Sequence, residues 1–155
     1  MPSRVELRDI ESEDLAVLYE HQRQPDANQM AAFPARDRTS FMTHWQRVLD
    51  DESVAKKAIL FGGALAGYIV SFEQNGKLLV GYWIGQQFWG KGIGTMALAQ
   101  FLGVVETRPL YAHVAKHNQG SIRVLQKCGF TLYAEGTASD ATDGVEIEEL
   151  TFRLE

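Results

Sequence analysis

The chain has 155 residues, 45% of them hydrophobic, and a net charge of −5, which suits one compact domain over residues 1–155 with a sizeable core. The acidic balance, with no basic block longer than Lys56-Lys57, argues against nucleic-acid binding, and no stretch approaches the ~18 apolar residues of a membrane span. A start of Met1-Pro2-Ser3-Arg4-Val5 does not read as a signal peptide, and one cysteine, Cys128, fits a reducing cytoplasm.

Val5-Glu6-Leu7-Arg8 alternates as a short strand does. Ser12 is placed to cap a helix that carries Leu15, Leu18 and Tyr19 on one face and ends near Pro25. Residues 26–38 read as a loop that holds Met30, Ala31, Ala32 and Phe33 among polar neighbours, so it either tacks onto the core or lines a binding site. Thr39 or Ser40 then caps a second helix with Phe41, Trp45, Val48 and Leu49 on one face. Residues 56–61, 65–73 and 77–84 read as an antiparallel meander, turned at Gly62-Gly63 and at Asn75-Gly76.

A helix follows whose Gly94, Ala97, Leu98, Phe101, Leu102 and Val105 form an apolar stripe. Residues 110–114 read as a strand, and 119–127 as a short helix with Ile122 and Leu125 inward and Gly129 as its stop. Residues 130–134 are a strand, 138–144 a polar loop and 145–154 the last strand. There Val145 and Ile147 share one parity, while Leu150, Phe152 and Leu154 share the other. Either both faces are covered or a bulge near Glu148-Glu149 shifts the register. The fold class is α/β, a mixed sheet with helices.

Between the meander and the striped helix lies Trp89-Gly90-Lys91-Gly92-Ile93-Gly94-Thr95. Glycines on alternate positions let the backbone approach a ligand, and the first turn of a helix offers unpaired N–H groups with partial positive charge behind them. A phosphate or pyrophosphate is the natural occupant. The G-x-x-x-x-G-K-[ST] spacing of a P-loop is absent, and G-x-G-x-G after an antiparallel meander does not match a dinucleotide fingerprint.

Together with Asn118-Gln119-Gly120-Ser121-Ile122-Arg123-Val124-Leu125-Gln126-Lys127-Cys128-Gly129-Phe130, this turn resembles the GNAT superfamily of N-acetyltransferases, and within it the ribosomal-protein N-terminal acetylases. The resemblance implies a GNAT fold, with a mostly antiparallel mixed sheet splayed at a cofactor cleft and helices on both faces. It implies acetyl-CoA as co-substrate and no metal. The pyrophosphate would meet Gly90, Gly92, Ile93, Gly94 and Thr95, with Lys91 at the rim and Trp89 beside the turn. The pantetheine arm would run along Trp83 and Ile84, towards Asn118 and Ser121. An oxyanion donor would come from the N–H of Trp83 or Ile84. The acceptor would be a small-molecule amine or a peptide N-terminus, entering past Met30, Phe33 and Trp45. A homodimer is common for this fold.

In two places the chain departs from that pattern. Leu79 stands where many members have a glutamate base, and Leu125 where many have a tyrosine acid. Ser121 and Tyr82 are the remaining acids, with Asn118 organising the sulfur end. His113 and His117 read as surface or packing residues rather than catalysts, and Glu146, Glu148 and Glu149 as a solvated strand edge able to attract a cationic acceptor. Cys128 reads as a small buried hydrophobe, so direct acetyl transfer from acetyl-CoA to a primary amine in a ternary complex is expected, without an acyl-cysteine. A non-catalytic acyl-CoA sensor on the same fold is the alternative.

Overall fold

The computed structural model describes residues 4–32, 35–139 and 146–155. Among the described residues, seven strands form one sheet: β1 (Val5–Arg8), β2 (Ala55–Phe61), β3 (Ala64–Gln74), β4 (Lys77–Ile84), β5 (Leu110–Ala115), β6 (Thr131–Ser139) and β7 (Glu146–Leu154). Five α-helices among the same residues surround it: α1 (Leu15–Gln22), α2 (Pro25–Ala31), α3 (Arg38–Asp50), α4 (Ile93–Val104) and α5 (Gln119–Lys127). The strand order is β1-β2-β3-β4-β5-β7-β6, and every neighbouring pair is antiparallel except β4 with β5.

The meander forms as its turns dictate. Gly62 and Gly63 both have positive φ, as do Asn75 and Gly76, which is the conformation tight two-residue hairpins need. Because successive side chains point to opposite faces, adjacent residues feed different cores. Ile59 faces α4 with Ile69, Val80, Leu98 and Phe101, whereas Ala58 packs against Leu18, Phe41 and Trp45 from α1 and α3. Helices therefore cover both faces of the β2–β4 region. On the far half, Leu110, Ala112, Val114, Leu150 and Phe152 join the first of these cores, and the opposite face carries Tyr111, His113, Glu149 and Thr151.

β4 and β5 pair only at Leu79 and Tyr111. From that point they diverge, and the ladder between them does not continue over residues 81–84. Three local expectations are corrected. Residues 25–31 are helical, because Pro25 sits in the first turn of α2, where a missing N–H costs nothing, instead of merely ending α1. Asp37 rather than Thr39 or Ser40 caps α3, its carboxylate accepting from the Ser40 N–H at 2.8 Å. The lead into α1 is a 3-10 turn, Ser12–Asp14, held by Asp14, which accepts from the Glu11 N–H at 2.8 Å and pairs with Arg8 at 2.7 Å.

The register shift of the last hairpin falls between Leu132 and Ala134 on β6, not near Glu148-Glu149. β7 keeps strict alternation against β5. Its Leu150 and Phe152 enter the core, while Ile147 and Glu149 face the gap between β4 and β5. Of the expected polar loop over 138–144, residues 138–139 continue β6, while residues 140–144, with Val145 of the expected last strand, lie outside the described residues. Among the described residues, no helix is long and apolar enough to cross a membrane.

Candidate active site

After Ile84 the chain makes a short 3-10 turn, Gln86–Phe88, then an extended Trp89 whose indole Nε1 donates to the Ile84 carbonyl at 2.9 Å. Gly90 and Gly92 have φ of 79° and 75°, a region that side-chain-bearing residues enter only at a cost. Open space faces Gly90, and only the Met96 Cε lies near Gly92. α4 starts at Ile93 with no side chain capping it. The Met96 N–H bonds back to the Gly92 carbonyl at 3.2 Å, so the N–H groups of Ile93, Gly94 and Thr95 have no partner within the helix. Gly94 is small for another reason: a Cβ there would lie 3.3 Å from Val124 Cγ2 on α5.

This turn forms one wall of a cavity of about 730 Å³. The other walls are Tyr82, Trp83 and Ile84 of β4, the polar face of α5, and Ala27, Met30 and Ala31 of α2. Gly90, Gly92, Ile93, Gly94, Thr95, Trp89, Asn118 and Ser121 all line it. Lys91 does not. The lysine and arginine that do are Arg123 and Lys127, which the sequence reading passed over. Their signal was present: Gln119, Arg123 and Lys127 recur every fourth residue, opposite the inward Ile122 and Leu125.

A second cavity of about 250 Å³ occupies the gap between β4 and β5. The two cavities share Ala31, Tyr82, Asn118 and Ser121. At this junction the Tyr82 and Ser121 hydroxyls lie 2.6 Å apart. Whichever oxygen donates in that bond, the pair retains one further O–H for a third group. Burial pushes the Tyr82 phenol up to about 12, so it stays protonated. Asn118 caps α5, its Oδ1 accepting from the Ser121 N–H at 3.2 Å. It thus orients Ser121.

Of the acceptor-side residues, Met30 lines the larger cavity and Phe33 lies outside the described residues. Trp45 corrects the expectation. It is 3% exposed, packed on Tyr68 with ring centroids 4.7 Å apart, and lines neither cavity. Its i, i+4 spacing from Phe41 places both rings on the inward face of α3. His117 does reach the larger cavity, with Nε2 3.1 Å from the Gln29 carbonyl, which ties α2 to the start of α5. Cys128 is half-buried, and burial raises its thiol pKa. Among the described residues no group of three or more histidine, cysteine or acidic side chains could hold a metal ion.

Comparison with known proteins agrees with this geometry. A family model described as an acetyltransferase (GNAT) domain matches residues 4–131. The Bacillus subtilis (strain 168) protein named "Putative ribosomal N-acetyltransferase YdaF" is 31% identical over 110 residues, covering 66% of this chain and 59% of that protein's length. Spermidine N-acetyltransferase from Vibrio cholerae, solved with CoA and spermine, superposes with a TM-score of 0.83 at 15% identity, covering 97% of this chain and 94% of that one. A GNAT phosphinothricin acetyltransferase from Sinorhizobium meliloti, solved with acetyl-CoA, gives 0.82 at 19% identity, with 99% and 88% covered. At such identities these two likenesses speak to the fold.

Proposed function

Because the chain belongs to the GNAT acetyltransferase family, we propose that it moves an acetyl group from acetyl-CoA to a primary amine, directly and in a ternary complex, with residues 1–155 acting as one domain. The observation that carries this reading is the meeting of two cavities at the hydrogen-bonded Tyr82–Ser121 pair. One cavity is walled by the glycine turn before α4 and the other occupies the gap between β4 and β5.

The residues present fit acetyl-CoA. The uncapped start of α4 and the side chains of Arg123 and Lys127 supply partial and full positive charge to a diphosphate. The stretch of β4 past its pairing with β5, residues 81–84, lines the cavities and presents an edge to an extended, amide-bearing arm. Alternate N–H groups on that edge point away from β3 and can meet a developing oxyanion.

The Tyr82–Ser121 pair holds a hydroxyl proton where the sulfur would leave. A phenol near 12 is a weaker acid than an ordinary thiol near 8.5, a gap worth about 5 kcal/mol against outright transfer. The pair therefore relays a proton to sulfur from the amine nitrogen as the C–N bond forms, and is not itself the net source. Burial keeps the Cys128 thiol protonated, which favours direct transfer over an acyl-cysteine. The reducing cytoplasm suits this free cysteine.

Two acceptor classes stay within the reading, a small amine and a peptide N-terminus. The named relatives point to both, ribosomal in one case and spermidine in the other. Titration calorimetry with acetyl-CoA, followed by acceptor-dependent thiol release over a panel of both classes, tests it. Absence of binding at millimolar acetyl-CoA removes the proposal. Leu79 and Leu125, both buried where the resemblance implies a base and an acid, favour a second reading as an acyl-CoA sensor. Tight binding with no thiol release over the whole panel would select it.

A further inference from the structure

The second cavity is lined by His113 and Glu149 as well as by Tyr82 and Ser121. β5 pairs with β7 so that His113 is opposite Thr151 and Ala115 opposite Glu149. His113 Nδ1 lies 2.9 Å from Thr151 Oγ1 and 3.9 Å from Glu149 Oε1. The nearby carboxylate favours the proton on Nδ1, with the Thr151 oxygen accepting it, and so leaves the Nε2 lone pair free. Both side chains remain partly open to solvent, at 42% and 36% exposure. They line the same cavity as the hydroxyl pair, so a charged acceptor bound there meets both sets of side chains.

We propose that His113 is the general base of this site and that Glu149 recognises the acceptor as a cationic primary ammonium. This rests on the acetyltransferase reading above. An ammonium with a reference pKa of about 10.4 carries its proton at neutral pH and cannot attack until it loses it. The Nε2 of His113 takes that proton, giving a free amine and an imidazolium held by Thr151 and Glu149. The amine lone pair forms the C–N bond at the thioester carbon. The C–S bond breaks with its electron pair on sulfur, and the second nitrogen proton passes through Tyr82 and Ser121 to that sulfur. The imidazolium then releases its proton to water. Net, an ammonium and the thioester give an amide, a free thiol and one proton.

Also on β7, Arg153 sits over the Tyr133 ring and pairs with Glu155, and on β4 Lys77 sits over Tyr111. Among the described residues, Glu149 is the ion-pair partner of His113, while Lys116 pairs with Glu148, the neighbour of opposite parity on β7. Ala31 at the end of α2 and Ala32, which caps it, line this cavity and carry no charge. Glu149 thus sets both the sign of the acceptor and the setting of the ring.

The test uses the whole chain with acetyl-CoA and two probes, spermidine and a short peptide with a free N-terminus. His113→Gln should lower kcat/KM for the accepted probe by about 10²- to 10³-fold near neutral pH, and recover as pH approaches 10, where free amine becomes abundant. Glu149→Gln should raise KM about tenfold with a smaller change in kcat. Both variants should keep the wild-type Kd for CoA, which confirms that they fold. Histidine side-chain NMR of the CoA-loaded protein supplies a readout apart from turnover: the His113 ring resonances should move on adding the probe, and in Glu149→Gln the same movement should need about tenfold more probe. Wild-type turnover with unchanged kinetics in His113→Gln overturns this inference alone. So does a His113 ring indifferent to saturating probe. A wild type that binds no acetyl-CoA overturns the acetyltransferase reading, and this inference with it.

Discussion

Tyr82 on β4 and Ser121 on α5 are 39 residues apart in the chain, yet their hydroxyl oxygens lie 2.6 Å from one another. The contact spans the point where β4 leaves β5, and it is where the two cavities meet. Tyr82→Phe should therefore reduce kcat by about 10²-fold, the lower range for losing a positioned proton-transfer group, while the Kd for acetyl-CoA stays nearly constant. Since burial holds the phenol up to about 12, the wild-type rate should show no fall from Tyr82 ionisation below pH 10. Stopped-flow kinetics beside calorimetry would check both. An equal loss of cofactor affinity would show that Tyr82 serves only binding.

Gly92 sits at φ of 75° at the very start of α4. Gly92→Val places a branched side chain in a left-handed residue at the cavity wall, costing about 1–2 kcal/mol in backbone strain and blocking approach to the N–H groups beyond it. Acetyl-CoA affinity should fall by at least ten times. Calorimetry measures the loss, and thermal melting separates it from unfolding.

Arg123 and Lys127 face the larger cavity and are partly exposed, so each adds a modest, screened attraction of about 0.5–1 kcal/mol. The Arg123→Ala/Lys127→Ala double variant should bind acetyl-CoA several times more weakly at low salt. Near 1 M salt, where the Debye length is about 3 Å, the difference should nearly vanish. A salt-independent loss would mean that the two side chains act by packing.

His21 is 3% exposed, and neither ring nitrogen has a hydrogen-bond partner. Burial alone holds its pKa below the ordinary value. The unfolded chain therefore binds a proton near pH 6.5 that the folded chain resists, so stability should decline as pH falls below about 6.5 and be full above it. Asp14, whose carboxyl is held low by the Arg8 hydrogen bond, adds a further loss below about pH 4. Chemical denaturation across pH 4–8 should show the first slope in the wild type and a flatter one in His21→Phe.

The same ring explains Gly85. A Cβ there would lie 2.7 Å from His21 Cδ2, although the Gly85 backbone suits any residue. Gly85→Ala should thus cost about 1–3 kcal/mol by overpacking. Most of that loss should disappear when His21→Ala is added, a coupling that a double-mutant cycle on denaturation free energies measures.

Much of this was legible from local pattern. Gly90, Gly92 and Gly94 marked the turn before α4, Asn75-Gly76 marked its hairpin, and the period of α5 separated an inward Ile122 and Leu125 from an outward Arg123 and Lys127. Where neighbours in sequence compete for one role, the local signal failed. Pro25 ends one helix and opens the next, and Asp37 outranks Thr39 and Ser40 as a cap because it alone precedes the first helical turn. Trp45 looked as suitable for a binding wall as Met30, since an aromatic ring on a helix face reads alike in either setting.

Period and turn chemistry act over a few residues, so the sequence by itself determined most of the elements, their order and the glycine turn before α4. Which side chains share a cavity depends on strand pairing, and pairing is settled only when the whole sheet assembles. The divergence of β4 from β5 beyond Leu79 opened the second cavity, and the register of β5 on β7 set His113 beside Thr151 and Glu149. Those are long-range contacts between segments whose separate patterns say nothing of one another.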